Sequence, residues 1–298
     1  MKNILIIGCG LLGSSLLKRI QKKRISNTIY IYEKSKSNIA TIKKLRLPGV
    51  IVKKLDDGIK KSDFIILCTP MSEYKKIIKK MNKFLSTKTI ITDIGSSKLE
   101  SSRIIKKYLK KDIPWIQSHP ITGSEVSGPE HGKQDIFEKK WCVLIKEKKT
   151  KKKNLIILKN FWKKIGSKVV VMTPEKHDKI FSITSHLPHL IAYNLVKSAQ
   201  DFEKIQNYDL IKYSAGGLRD FSRIAASNEI MWRDIFFNNK QNISKAIDLF
   251  IKNLNSFKKD INSKNNKSIL RKLIQTKKVR TKIIKLKQDI NKPDFGRN

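Results

Sequence analysis

The first part of the chain alternates between short apolar runs and longer amphipathic segments. Between residue 3 and about residue 172, runs rich in isoleucine and valine are separated by Lys-rich segments with apolar residues at three- and four-residue spacing. This alternation is typical of a parallel β-sheet whose strands are joined by crossover helices. We therefore predict strands at 3–8, 28–33, 50–52, 63–68, 88–93, 114–118, 140–146 and 168–172. The predicted helices between them are 11–23, 36–46, 72–84, 98–110 and 151–165.

After Pro174 the strand pattern stops and helical periodicity takes over. We predict helices at 175–200, about 202–212, 226–238, 240–262 and 267–288. The chain is therefore expected to contain two domains. Residues 1–172 are predicted to form an α/β domain around a doubly wound sheet, and residues 173–298 an all-helical domain.

The composition is that of a globular chain with a strongly basic charge. Of 298 residues, 65 are Lys or Arg and 25 are Asp or Glu, which gives a net charge of +40. Such a charge suits a nucleic-acid or anionic-membrane partner, but the basic residues are spread along the whole chain. We interpret them as a compositional bias that gives a solvated basic surface. We accordingly predict no nucleic-acid or membrane partner, although a nucleic-acid-binding protein stays open as an alternative of a different class.

The three cysteines indicate a reducing compartment. Cys9, Cys68 and Cys142 lie in or beside apolar runs and form no Cys-x-x-Cys pair. We expect buried, reduced thiols and a cytoplasmic location, with no metal site. The apolar run at residues 1–8 leads directly into a glycine turn without a cleavage-site pattern, so we expect no secretory signal.

A glycine turn lies between the first predicted strand and the first predicted helix. Gly8 permits a tight turn, Gly10 lets a pyrophosphate approach the backbone, and Gly13 allows close packing of helix and strand. A strand, a glycine turn and a helix in this order are the context of a dinucleotide fingerprint. We predict a Rossmann-type NAD-binding domain. The further residues assigned to the cofactor site are Leu11, Leu12, Thr69 and Pro70.

Glu33 ends the second predicted strand, 20 residues after Gly13. At this spacing a carboxylate binds the ribose hydroxyls of NAD. Because a carboxylate repels a 2′-phosphate, Glu33 favours NAD over NADP. Lys34 and Lys36 beside it carry the opposite charge and weaken that preference.

Two polar segments follow neighbouring predicted strands. They are Asp-Ile-Gly-Ser-Ser-Lys at 93–98 and His-Pro-Ile-Thr-Gly-Ser-Glu at 119–125. The carboxyl ends of strands are where open α/β sheets bind ligands. A neutral imidazole at His119 can accept a hydroxyl proton while a hydride leaves the same carbon, and a neighbouring serine can orient either partner.

A third group of polar residues lies in the predicted helical domain. Residues 185–189 read Ser-His-Leu-Pro-His, and residues 216–223 read Gly-Gly-Leu-Arg-Asp-Phe-Ser-Arg. Arg219 and Arg223 are four residues apart and share a helix face with Asp220 nearby. One arginine can be held by the acid, while the other offers its guanidinium to a substrate carboxylate.

These segments together resemble one known family. The motifs GCGLLGSS at 8–15, DIGSSK, HPITGSE, SHLPH, the run 216–237 and PDFGR at 293–297 occur in the order and at the spacing of the prephenate/arogenate dehydrogenases of tyrosine biosynthesis. The chain departs from commoner members at Asn228-Glu229, where Asp-Pro often precedes the Met-Trp pair. The resemblance implies oxidative decarboxylation of prephenate, arogenate or both, with hydride transfer to NAD+, by a homodimer joined through the helical domain.

The resemblance also implies roles for individual residues. His119 would take the proton of the substrate's ring hydroxyl, Ser96 would orient that group and the nicotinamide, and Arg223 would bind a carboxylate. The substrate pocket would be lined by Ser185, His189, Gly216 and, near its mouth, Glu125.

The nearest alternative enzyme is a β-hydroxyacid or 6-phosphogluconate-type dehydrogenase, which pairs a similar nucleotide domain with a helical one. Those enzymes use a catalytic lysine on the first interdomain helix. Here residues 183–196 contain no lysine, and the first one is Lys197. This absence favours the prephenate/arogenate interpretation, and the choice between those two substrates stays open.

Overall fold

The first half of the protein is built around a parallel sheet. The computed structural model describes residues 1–207, 209–286 and 288. A five-stranded parallel sheet has the order β3-β2-β1-β4-β5 and consists of β1 (Asn3–Ile7), β2 (Thr28–Tyr32), β3 (Val50–Ile51), β4 (Phe64–Leu67) and β5 (Ile90–Asp93). The helices that follow these strands are α1 (Leu11–Lys22), α2 (Lys36–Lys44), α3 (Leu55–Lys61), α4 (Tyr74–Met81) and α5 (Leu99–Tyr108).

The sheet is doubly wound, as predicted. From β1 the chain adds strands first on one side and then, after β3, on the other, so that helices cover both faces. Ile4 and Ile6 of β1 pack in an apolar cluster with α1, whereas Leu5 and Ile7 pack on the opposite face with α3 and α4. A strand buried on both faces reads as a continuous apolar run, which explains why β1 was evident in the sequence.

A second, three-stranded sheet follows, in the order β6-β7-β8. It consists of β6 (Ser118–Pro120), β7 (Trp141–Ile145) and β8 (Lys168–Met172), with α6 (Lys152–Ile165) between the last two. The predicted uniformly parallel arrangement is wrong here, because β6 is antiparallel to β7. The connection between β6 and β7 contains a short 3₁₀ turn, Pro129–His131, but no α-helix, and antiparallel strands need no crossover helix. A single parallel bridge between Ile91 and Trp115 connects β5 to the segment before β6.

Helix α3 was not predicted. It has seven residues and contains Gly58, which is unfavourable inside a helix. The structure explains the glycine, because a Cβ at this position would lie 2.8 Å from Cδ1 of Leu5. Packing of the helix against the sheet therefore overrides its low intrinsic propensity.

The second half of the described chain is helical. Its helices are α7 (Pro174–Phe181), α8 (Leu187–Gln206), α9 (Gly216–Ala225), α10 (Glu229–Asn238), α11 (Lys240–Asn262) and α12 (Asn266–Lys285). A π-helical turn, Ser182–His186, joins α7 to α8 where one continuous helix was predicted.

Three further boundaries differ from the predictions. The separate helix predicted at 202–212 is wrong, because α8 continues to Gln206 and only a 3₁₀ turn follows at Ile211–Tyr213. Residues 216–225, which lie in none of the predicted helices, form α9. Helix α10 begins later than predicted, after Asn228, whose side chain accepts the N–H of Met231. The predicted PDFGR motif at 293–297 lies outside the described residues.

Helices α7 and α10 pack the helical half against the α/β half. Trp232 and Ile235 of α10 belong to the same apolar cluster as α4. Asp234 accepts the backbone N–H of Ser72 at 2.8 Å. On α7, Asp178 accepts the backbone N–H groups of Lys98 and Leu99 at the start of α5, the helix that follows β5. In the described part of the chain, no helix has the length and apolar character needed to cross a membrane.

Candidate active site

The glycine turn has the geometry of a pyrophosphate site. Gly8 has a φ of +89°, which favours glycine. A Cβ on Gly13 would collide with the carbonyl oxygen of Gly8, whereas a Cβ on Gly10 would meet nothing within 4 Å. No side chain caps α1, so the first-turn N–H groups of Leu11 and Leu12 are available to an anion.

Glu33 lies beside this turn. One carboxylate oxygen accepts the N–H of Cys9 at 2.7 Å, and the other accepts the N–H groups of Lys34 and Ser35 at 2.8 and 2.9 Å. The ammonium group of Lys34 pairs with Glu73, and this hydrogen bond lowers the pKa of the Glu73 carboxyl. The Lys34 ammonium group is therefore paired with Glu73 and not with Glu33, whose carboxylate lies at the end of β2 beside the glycine turn.

Thr69 and Pro70 follow β4, next to the glycine turn. The Thr69 methyl group would lie 2.9 Å from a Cβ on Gly8, so the two segments are in close contact. The hydroxyl of Thr69 is buried without a hydrogen-bond partner among the described residues. Buried polar groups normally have partners. An unpaired hydroxyl here, open space over Gly10 and an uncapped helix end together fit a dinucleotide bound between β1 and β4, where the strand order reverses.

His119 lies on β6 and is 8% exposed. Its Nδ1 atom lies 2.8 Å from Nε2 of His177 on α7, and its ring packs edge-on against Phe181 at a centroid distance of 5.0 Å. Burial lowers the pKa of His119 well below its ordinary value, and His177, Lys98 and His186 lower it further. His119 is therefore a neutral imidazole at the junction of the two halves.

A fully buried ion pair, Lys98–Asp93, lies next to the strand that carries His119. The ammonium group of Lys98 is 2.7 Å from Asp93 and also donates to the carbonyl oxygen of Ser118 at 2.7 Å. Asp93 additionally accepts from the hydroxyl of Tyr74 at 3.0 Å and the indole N–H of Trp115 at 3.2 Å. The pair is thus well satisfied, as a buried pair must be.

Ser96 is half-buried in the loop between β5 and α5. Among the residues that the structure describes, no hydrogen bond joins it to His119. The two predicted catalytic residues therefore lie on adjacent segments, β5–α5 and β6, and are not hydrogen-bonded to each other in the described chain.

Ser185 and His189 lie at the π-helical turn and the start of α8. The Nδ1–H of His189 donates to the carbonyl oxygen of Ser185 at 2.9 Å, and the imidazole stacks on Trp232 at 3.8 Å. Burial lowers the pKa of His189. The stack fixes the ring and leaves Nε2 as the atom that can contact a ligand.

Arg223 on α9 lies between two carboxylates. Its guanidinium is 3.7 Å from Glu125, in the loop after β6, and 3.7 Å from Asp220. Asp220 thus holds Arg223 rather than Arg219, which has no ion pair within the described ranges. Gly216 is the first residue of α9, and a Cβ there would meet nothing within 4 Å.

Four residues near the site were not assigned roles from the sequence. Trp232 supports His189, Lys98 bonds to the strand that carries His119, and His177 and Asp178 form a hydrogen-bond chain with it. The sequence offered some indication for His177 and Asp178, because this polar pair falls among the apolar positions of the helix predicted at 175–200. Their hydrogen-bond chain to His119 depends on how α7 packs, which the sequence pattern does not reveal.

The chain matches two family models that together span most of its length. Residues 16–171 match the nucleotide-binding domain of prephenate dehydrogenase, and residues 173–276 match its dimerization domain. The chain belongs to the prephenate dehydrogenase family. This membership confirms the family resemblance of the sequence motifs.

Characterised relatives and solved structures agree with this membership. The cyclohexadienyl dehydrogenase of Zymomonas mobilis is 30% identical over 279 residues, covering 94% of this chain and 95% of that protein. The prephenate dehydrogenase of Bacillus subtilis is 31% identical over 273 residues, covering 90% of this chain and 72% of that protein. The crystal structure of Aquifex aeolicus prephenate dehydrogenase with hydroxyphenyl propionate and NAD+ has a TM-score of 0.88 at 35% identity, covering 95% of this chain and 98% of that one.

Proposed function

We propose that this protein catalyses the NAD+-dependent oxidative decarboxylation of prephenate, arogenate or both, giving 4-hydroxyphenylpyruvate or tyrosine. The observation that carries the proposal is a buried, neutral His119 where the nucleotide-binding half meets α7 of the helical half. Membership of the family supports it, as do relatives named as a cyclohexadienyl dehydrogenase and as prephenate dehydrogenases. The Aquifex relative was crystallised with NAD+ and a hydroxyphenyl acid.

The reaction asks little covalent chemistry of the protein. Prephenate carries a ring hydroxyl at C4, a ring carboxylate and a side-chain carboxylate. Oxidation at C4 removes a hydride and the hydroxyl proton, and loss of the ring carboxylate as CO2 then makes the ring aromatic. NAD+, when bound, supplies the hydride acceptor. The residues of the chain must orient the substrate, accept one proton and bind carboxylates.

We assign these tasks to the predicted site residues. His119 accepts the hydroxyl proton, because its neutral imidazole is a base within the site. Ser96, on the adjacent loop, orients the hydroxyl and the nicotinamide. Arg223 binds a substrate carboxylate through its guanidinium. Ser185, His189 and Gly216 line the pocket, and Glu125 lies at its mouth beside Arg223.

NAD is the cofactor that the glycine turn fits. We propose that Glu33 binds the ribose hydroxyls and repels a 2′-phosphate, which sets the preference for NAD over NADP. Lys34 is paired with Glu73 and is less available to a phosphate.

We further propose a homodimer that works in the cytoplasm. The dimer is supported by the match to a dimerization domain and by exposed apolar side chains on α11 and α12, among them Leu254 and Ile274. The cytoplasmic location is supported by three cysteines that are free thiols, as expected in a reducing compartment.

Steady-state rates test the function directly. The purified protein should form NADH with prephenate, arogenate or both, and should turn over more slowly with NADP+. His119→Asn should lower kcat by about 10²- to 10⁴-fold, the usual contribution of a general base, while the Kd for NAD+ stays nearly unchanged. NADH formation from neither substrate would overturn the proposal. Near-normal turnover by His119→Asn would remove His119 from the mechanism.

A further inference from the structure

A chain of three buried side chains begins at His119 and crosses from one half of the protein to the other. Nδ1 of His119 lies 2.8 Å from Nε2 of His177, and Nδ1 of His177 lies 2.7 Å from Oδ1 of Asp178. His177 and Asp178 are completely buried on α7, and His119 is on β6. Among the described residues, the proposed base therefore makes its one side-chain hydrogen bond with the helical half.

Asp178 is placed to remain a carboxylate. Its Oδ1 accepts the backbone N–H of Lys98, and its Oδ2 accepts that of Leu99, both at 2.8 Å. These two N–H groups are at the start of α5, where the helix dipole favours a negative charge. Burial raises the pKa of Asp178, but both N–H bonds and the charge of Lys98 act in the opposite direction. An ionised carboxylate accepts hydrogen bonds and cannot donate them.

The charge on Asp178 determines the proton positions along the chain. Since Asp178 only accepts, Nδ1 of His177 must carry a hydrogen and donate it. Burial and the charge of Lys98 lower the pKa of His177, so its ring is neutral and its Nε2 has no hydrogen. That nitrogen accepts from Nδ1–H of His119. The neutral ring of His119 then has an unprotonated Nε2.

We propose that His177 and Asp178 are positioning residues that hold His119 in the tautomer whose Nε2 accepts the substrate's hydroxyl proton. The proposal rests on the proposed function for the identity of that proton. Within the described residues no protein group hydrogen-bonds to Nε2 of His119, so this nitrogen is left for the substrate. The hydroxyl O–H bond breaks and an N–H bond forms at Nε2, while the hydrogen on Nδ1 stays in place. The same chain therefore also suits the imidazolium product.

A purely structural role for His177 makes a different prediction. If His177 only fills space beside Phe181, its substitutions should change stability and leave the chemistry of His119 unaltered. If it selects the tautomer, substitutions should separate according to whether they retain an acceptor for Nδ1–H of His119. A wrong tautomer disables a general base even where its geometry is intact.

The pair His177→Gln and His177→Met separates these roles. Glutamine and methionine have similar length, but only glutamine offers an oxygen that can accept from Nδ1–H of His119. We expect His177→Met to lower kcat by about 10- to 100-fold and His177→Gln by less than about fivefold. The KM for NAD+ should change less than about threefold in both. Ser102→Ala, which removes a buried hydrogen bond to Gln117 at helix α5, serves as a packing control.

Nitrogen NMR of the wild-type protein reads the tautomer without reference to activity. In ¹⁵N-histidine-labelled protein, the His119 ring, identified by its loss in His119→Asn, should be protonated at Nδ1 and unprotonated at Nε2. In His177→Met we expect the Nε2-protonated form to appear.

Three results would overturn the proposal. The first is an Nε2-protonated His119 in the wild-type protein, a result that needs no variant to fold. The second is a wild-type kcat in His177→Met. The third is an equal loss in His177→Gln and His177→Met at unchanged Tm. A wild-type protein with no dehydrogenase activity would instead overturn the proposed function, and the NMR spectrum would still decide the tautomer.

Discussion

Arg223 shows how single charges are arranged at the mouth of the site. Its guanidinium lies 3.7 Å from Glu125 and from Asp220, and all three side chains are partly exposed. Ion pairs of this kind are each worth about 0–1 kcal/mol. They are too weak to neutralise the arginine, but they hold it on the face of α9 that meets the loop after β6. A substrate carboxylate can replace these two ion pairs with a bidentate, charge-assisted hydrogen bond to the guanidinium.

This arrangement predicts a clear difference between two arginines on the same helix. Arg223→Ala should raise the KM for prephenate or arogenate by about ten- to a hundredfold, because a hydrogen bond to a charged group is worth about 1.5–3 kcal/mol. Arg219→Ala is the matched control and should change KM less than about twofold, since Arg219 is exposed and makes no ion pair in the described chain. Steady-state kinetics of both variants provide the measurement. Equal small effects would mean that the carboxylate is bound elsewhere.

At the residue scale, the sequence predicted those candidate site residues that lie at a fixed spacing from one another along the chain. Gly8, Gly10, Gly13 and Glu33 follow a fixed pattern along 26 consecutive positions, so this spacing and the flanking strand and helix were enough to predict them as cofactor-binding residues. The partner of His119 could not be assigned in this way. His177 is 58 positions away and reaches His119 only because α7 packs its buried face on β6 and α5. Side-chain pairs that form only when two elements pack together have no fixed spacing in the sequence, so the sequence pattern does not predict them.

At the element scale, the glycine turn allows backbone packing and ligand approach to be tested separately. Gly13→Ala should lower Tm by several degrees, because its Cβ would collide with the backbone oxygen of Gly8, which cannot move aside freely. Gly10→Ala should leave Tm within about 1–2 °C, since its Cβ meets open space, yet raise the Kd for NAD+ by about tenfold or more. Thermal denaturation and NAD+ titration distinguish the two. Normal NAD+ binding by Gly10→Ala would place the pyrophosphate elsewhere.

Elements with a strong period were predicted, and those shaped by context were not. The apolar strands β1 and β4 and the amphipathic α4 were evident, whereas α9 begins with Gly216-Gly217, a pair that reads as a loop. The π-helical turn Ser182–His186 inserts into an otherwise continuous helical pattern. Such turns are frequent at functional sites, and here the turn contains Ser185, which we propose lines the substrate pocket. The elements hardest to predict are therefore the ones that build the proposed substrate site.

At the scale of the whole molecule, buried histidines link stability to pH. Burial lowers the pKa of His119 and His177, and that of His186 to about 4, whereas an unfolded histidine titrates near pH 6.5. Below about pH 6.5 the unfolded chain binds protons that the folded protein does not, so stability is full above that pH and is lost as pH falls. We expect both Tm and the free energy of unfolding to fall from pH 6.5 to 5. In His186→Gln the free energy of unfolding should fall less over this range, by up to about 2 kcal/mol, and the Tm profile should be correspondingly flatter. Parallel profiles would show that His186 takes up its proton without cost.

The proposed association of two chains belongs to the scale of the whole molecule. Helices α11 and α12 expose Leu254, Leu270 and Ile274, each at 49–55%, whereas Ala246 on another face of α11 is buried. Large apolar side chains exposed in a row on helices mark an interaction surface. The net charge of +40 on each chain opposes association. Because salt screens that repulsion but leaves apolar burial in place, the dimer should be tighter at higher ionic strength.

Light scattering can separate the effect of apolar burial on the dimer from the effect of charge repulsion. At micromolar concentration and about 0.3 M salt, the wild-type protein should have a mass near twice the 34.5 kDa of the chain, and lowering the salt should shift it towards the monomer. Leu254→Glu should favour the monomer at both salt concentrations, since it places a charge in the apolar contact. Leu45→Glu, at a similarly exposed leucine in the α/β half, should remain dimeric. A monomeric wild-type protein at high salt would refute the dimer, and an equal effect of both substitutions would place the interface outside α11 and α12.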